Sequence, residues 1–137
     1  MFWSSKKETI IIWDTPFKES RNLILYSLVE NKNGKLTLLF EDKTNTKYTI
    51  IFKRPQAYRR ILEEYQTARY NVEQIKKPHR SFIVENSKWI FNLQTTEPLF
   101  KEFEKNVKQY MIFTSDEIID VLSNIEPKIK TNRRNSR

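Results

Sequence analysis

One glycine constrains this chain more than any other residue. Gly34 follows Asn33, and the pair lies between two apolar runs, Leu23 to Val29 and Leu36 to Phe40. Asn-Gly is the preferred centre of a type I′ turn, whose positive φ angles match the twist of two antiparallel strands. Beyond it Leu36, Leu38 and Phe40 alternate with Lys35, Thr37 and Leu39, a period of two that sends one set towards a core. The polar loop Asp42 to Thr46 leads into Tyr48, Ile50 and Phe52, alternating again with Thr49, Ile51 and Lys53. An antiparallel meander is predicted. Thr9 to Trp13, with three consecutive isoleucines and a tryptophan, adds a further strand.

After Arg54-Pro55 the period changes. Tyr58, Ile61, Leu62 and Tyr65 stand at i, i+3, i+4 and i+7, which predicts a helix over one face of the meander. Ala68, Val72 and Ile75 extend its stripe towards Lys76, Pro78 limits it, and Arg59, Arg60, Glu63 and Glu64 fall on its solvated side. Phe82 to Val84 reads as a strand. Ser87 is an N-cap for a helix carrying Trp89, Ile90 and Leu93, with a hairpin through Asn86-Ser87 as the competing reading. Thr96-Glu97-Pro98 opens a helical turn bearing Leu99, Phe100, Phe103 and Val107. Tyr110 to Phe113 is an unbroken apolar run, the composition of a strand covered on both faces. Thr114 and Glu117 have capping-box spacing, and Ile118, Val121, Leu122 and Ile125 share one helical face, so a helix from there to Pro127 is predicted. The fold class expected is α+β: a single domain over residues 1–127, with a mainly antiparallel sheet and helices packed on one face.

The net charge of +8 is uneven. Lys128, Lys130, Arg133, Arg134 and Arg137 lie in the last ten residues with no acid among them, leaving 20 basic and 17 acidic residues elsewhere. Residues 128–137 are poor in apolar side chains and are expected to form a flexible basic tail. Such a tail suits phosphates, and with Arg59 and Arg60 it supplies the candidate contacts for nucleic acid or a protein partner. Removing residues 128–137 is then expected to leave binding to a protein partner mostly intact and to abolish most affinity for nucleic acid. No apolar run reaches the roughly 18 residues of a membrane span. With no cysteine and no secretory leader pattern, a cytoplasmic protein is expected.

Several chemistries lack their parts. His79 is the single histidine, set in the basic run Lys76 to Arg80 and expected at the surface, so multi-histidine zinc sites and paired-histidine catalysis are excluded. One glycine cannot build a P-loop or a dinucleotide turn. Carboxylates remain, with Asp116 and Asp120 four apart and Glu63 beside Arg59. Pairs like these can bind a divalent ion or work as acid and base, but helix capping and an i, i+4 ion pair account for them more simply. Neither catalysis, cofactor nor metal is expected.

Phe82-Ile83-Val84-Glu85-Asn86-Ser87 and Gln109 to Ser123 with Glu126-Pro127 resemble the C-terminal half of small α+β proteins of Gram-positive bacteria found beside polymorphic toxin genes. Phe40 to Asp42, Ile50 to Phe52 and Tyr58 to Arg60 are similar to their first half. The resemblance implies an immunity protein that binds a cognate toxin and has no catalysis of its own. Immunity proteins against nucleases tend to be acidic, so the mildly basic body argues against a nuclease target. Nucleic-acid binding through the basic tail is the alternative.

Overall fold

The computed structural model describes residues 7–62 and 79–133. In chain order they form β1 (Thr9–Ile12), β2 (Ile24–Glu30), β3 (Lys35–Glu41), β4 (Lys47–Lys53), β5 (Ala57–Leu62), β6 (Ser81–Glu85), α1 (Lys88–Thr96), α2 (Pro98–Phe103), β7 (Lys108–Phe113), β8 (Glu117–Ser123) and β9 (Lys128–Asn132). The strands make a five-stranded sheet, β1-β6-β7-β8-β5, and a four-stranded sheet, β2-β3-β4-β9. Every pairing is antiparallel. The molecule is sheet-dominated, and α1 and α2 are the helices among the described residues.

The two sheets face each other across one core. The alternation in β3 and β4 sends Leu36, Leu38, Phe40, Tyr48, Ile50 and Phe52 inward, to meet Tyr110, Ile112, Ile119 and Val121 of the larger sheet. Between β1 and β2 the chain crosses from one sheet to the other, and Trp13, Phe17 and Leu23 plug the seam. Thr15 and Ser81 share a buried hydroxyl contact of 2.8 Å that pins this crossing to β6. A second apolar cluster, with Phe82, Met111, Phe113 and Ile118, occupies the other face of the five-stranded sheet. Ser87 caps α1 as expected, its Oγ accepting from the Ile90 N–H at 3.1 Å.

Four expectations change. The β2–β3 hairpin forms, but its turn is not type I′. Asn31 pairs with Lys35, the Gly34 N–H donates to the Asn31 carbonyl, and only Gly34 of the loop has a positive φ, 81°. This is a three-residue loop with glycine in the left-handed position. The Asn31 side chain accepts from the Asn33 and Lys35 N–H groups, which favours the longer turn.

Residues 57–62 are strand, not helix. Tyr58 and Arg60 face the core side while Arg59 faces away, opposite Asp120 of β8. Six residues are too few for a helical period to outweigh pairing with β8. The rest of the expected helix, 63–78, lies outside the described residues, as do Glu63 and Glu64.

Residues 117–123 are also strand. Every one is buried, because β8 has a cluster on each face. A strand apolar on both faces matches helical spacing by default. Thr114 does bond to Glu117, accepting its N–H at Oγ1 at 2.9 Å, but its own N–H donates to the Glu117 carbonyl and the bonds close a β7–β8 turn.

The expected flexible tail is, from Lys128 to Asn132, the edge strand β9, with Ile129 opposite Ile50 and packed on the core. Residues 134–137 lie outside the described residues. Of the expected helices, the described residues hold two short ones, α1 and α2.

Truncation after Pro127 therefore removes a strand. It should lower unfolding stability by at least about 2 kcal/mol, through lost ladder bonds and lost Ile129 packing. Urea melts of the two chains measure this. A solvated tail would change the value by less than about 0.5 kcal/mol.

Candidate functional site

Of the acids named from the sequence, Asp116 and Asp120 are among the described residues, and the fold separates them. Asp116 is exposed in the β7–β8 turn, whereas Asp120 is 1% exposed within β8, so the two do not form a pair on one helix. Asp120 accepts from Arg59 Nε at 3.1 Å and from Gln109 Nε2 at 2.8 Å. Ser87 donates to the Gln109 side-chain carbonyl, which links the start of α1 to the sheet. The Arg59 guanidinium lies 4.1 Å from the centre of the Trp89 ring. Arg60 reaches Glu117 at 3.0 Å. Arg59 and Arg60 are thus held by buried acids, a poor arrangement for contacting phosphate. His79 is half-buried rather than at the surface, with Nε2 3.5 Å from a Glu19 carboxylate oxygen.

Arg133 lies apart from both arginines, beside a polar basin of about 940 Å³ also lined by Lys18, Arg21 and Lys43. Asp42 anchors this basin. It accepts from the Thr44 N–H, the Thr44 hydroxyl, the Thr46 N–H, the Ser20 hydroxyl and the Tyr48 hydroxyl. Burial pushes the Asp42 carboxyl up, but hydrogen bonds from Thr44, Tyr48 and Ser20 outweigh it and hold it below the usual carboxylate range. The role is to lock the β3–β4 loop.

The outer face of the four-stranded sheet is different. The register that points Leu36, Phe52 and Ile129 inward points Lys35, Lys47, Lys53, Lys128 and Lys130 outward. All five are exposed, and among the described residues none makes an ion pair. Lys35 stands directly opposite Lys53, a like-charge pairing that costs stability. One acid, Glu41, stands on the face opposite Lys47. On the β2 side the face turns apolar: Ile24, Tyr26 and Val29 are 52%, 62% and 56% exposed, next to half-buried Leu39 and Ile51. Lys47 Nζ sits 5.4 Å from the centre of the Tyr26 ring. A flat apolar strip beside a field of free lysines is chemically a docking surface for something acidic with an apolar patch.

Of the residues predicted as contacts, Lys128 and Lys130 join this face. Arg59, Arg60 and Arg133 do not, and Arg134 and Arg137 lie outside the described residues. Lys35, Lys47 and Tyr26 were missed. Their signal was the polar half of the same alternation that marked the core.

No protein-family model matches the chain, and no curated protein matches it either. Among solved structures, that of an uncharacterised protein from Neisseria gonorrhoeae is similar over 94% of this chain and 100% of its own, at 13% identity and a TM-score of 0.40. Among the described residues, no helix is long and apolar enough to cross a membrane.

Two measurements check the structural assignments. Gln109→Leu strips a donor from Asp120 and an acceptor from Ser87, and should cost about 1–3 kcal/mol in a denaturant melt. For Asp42 the folded carboxyl titrates below the unfolded one, so its stabilisation is present above about pH 4 and lost as pH falls through the folded value. Asp42→Asn should therefore be less stable than wild type near pH 7 and lose less stability on acidification to about pH 3, as read by urea midpoints.

Proposed function

We propose that this protein is a non-catalytic, cytoplasmic protein-binding module, and that it neutralises a bacterial toxin by covering the toxin's active site or substrate channel. The open face of the four-stranded sheet carries this reading. Its free lysines stand on β3, β4 and β9, and its exposed Ile24, Tyr26 and Val29 give a partner apolar surface to bury. The partner's matching surface is acidic at its rim and apolar within. Long-range attraction speeds the encounter, and burial of the apolar strip slows release. An interface of about 1,200–2,000 Å² is the usual size for such a complex. The resemblance to toxin-associated small proteins supplies the biological setting.

Nucleic-acid binding is the second reading, favoured by one observation: five lysines on one sheet face, without ion pairs among the described residues, suit phosphates as well as carboxylates. The face has one exposed aromatic ring, Tyr26, where single-strand binders stack successive bases on several.

Deleting residues 128–137 cannot separate the two, because it removes β9. Lys128→Glu with Lys130→Glu keeps the strand and reverses two charges. In pull-downs from native extract at about physiological salt, the wild type should retain one stoichiometric protein after nuclease treatment, and the double variant should lose most of it. Co-expressing the wild type should then rescue growth against the recovered protein, and the variant should rescue poorly. Nuclease-sensitive recovery of many nucleic-acid-associated proteins would sink the toxin reading and establish the second.

A further inference from the structure

We propose that two copies of this chain pair edge to edge through β2, joining their four-stranded sheets across a two-fold axis into one continuous sheet. The inference does not depend on what the lysines bind, but it draws on Ile24, Tyr26 and Val29, the apolar strip of the same face.

The sheet has two edges, and they are built differently. β9 carries Lys128 and Lys130, and charged side chains on an edge are a standard protection against pairing with another strand. β2, Ile-Leu-Tyr-Ser-Leu-Val-Glu, is seven residues long with no lysine, arginine or proline, and Ile24, Tyr26 and Val29 are exposed on it. Among the described residues, its outer row of backbone groups faces no neighbouring strand. An edge of this length and composition is a template for strand addition.

The bulge in β2 says which strand fits. Leu25 opposes Phe40 and Ser27 opposes Leu39, so Tyr26 is the extra residue and the inside–outside alternation breaks there. Ile24 lies on the open face, Leu25 on the core face, Tyr26 and Ser27 on the open face, Leu28 on the core face and Val29 on the open face. The order reads the same from either end. An antiparallel second copy centred between Tyr26 and Ser27 therefore matches at every position. Ile24 meets Val29 of the second copy, Leu25 meets Leu28 of the second copy, and Tyr26 meets Ser27 of the second copy. A foreign strand with unbroken alternation would place side chains on the wrong face beyond the bulge. Such a contact is isologous and closes at two copies.

Charge selects the same edge. At a net charge of +8 two copies repel, and pairing β9 with β9 would set lysine against lysine. Pairing through β2 keeps the lysines of β9 at the far edge of each half, with β3 and β4 between. Leu25 and Leu28, half-buried against the core, would become covered at its rim.

Sedimentation velocity over a micromolar concentration series tests the proposal. The wild type should reach the dimer mass. Ile24→Lys with Val29→Lys opposes two pairs of like charges across the axis and should sediment as a monomer at every concentration. Ile24→Lys with Val29→Glu opposes unlike charges in the same register and should recover the dimer, which then weakens with added salt. Both positions are exposed, and urea midpoints near the wild-type value establish that the monomers fold. A wild type that stays monomeric throughout overturns the proposal. So does equal dimerisation of the two double variants, or failure of the unlike-charge variant to dimerise.

Discussion

Ring contacts between the two sheets hold the structure together. Tyr110 of β7 packs on Trp13 at 4.8 Å and on Phe52 of β4 at 5.6 Å, while Phe17 packs on Phe40 at 5.8 Å and Tyr48 at 5.4 Å. Each such pair contributes about 0.5–1.5 kcal/mol beyond the area it buries. More important is what the seam dictates elsewhere. Once Leu36, Phe52 and Ile129 are committed inward, their strand neighbours must point out, and a slip of one residue would exchange the sets. The lysine field is therefore a consequence of core register, and it cannot move without the core moving.

Much of this was legible where one face is buried and one is wet. β3 and β4 show a clean alternation, and both strands form where it predicts. β5 and β8 were not legible as strands. β8 has apolar neighbours on both faces, so its composition carries no period, and local spacing cannot tell a doubly covered strand from a helix. β9 has the opposite defect: Lys-Ile-Lys-Thr-Asn offers one apolar side chain, and it is a strand because β4 presents an edge with Ile50 waiting for Ile129. Lys128 and Lys130 were thus identified by type but placed on a tail. Lys35 and Lys47 went unnoticed because they are scattered along the chain and converge only through pairing.

Arginine and lysine are divided by task here. Arg59 and Arg60, on an edge strand of the larger sheet, engage Asp120 and Glu117, where a planar, always-charged group can satisfy buried carboxylates. The open face uses lysine, whose charge stays hydrated on a flexible stem. The first arrangement fixes strands to each other. The second leaves charge available to whatever approaches.

The pairing of β4 with β9 also sets an order of events during synthesis. Ile50 meets a residue almost eighty positions downstream, and β1 waits nearly as long for β6, since Ile10 pairs with Val84. Contacts this distant make for slow folding. While the ribosome completes β5 to β8, the meander is exposed as a three-stranded sheet with two bare edges, β2 and β4. Such edges are where partly made chains stick to one another. The lysine-bearing β9 arrives last and closes one of them, so the protection of this sheet is itself a late product of translation.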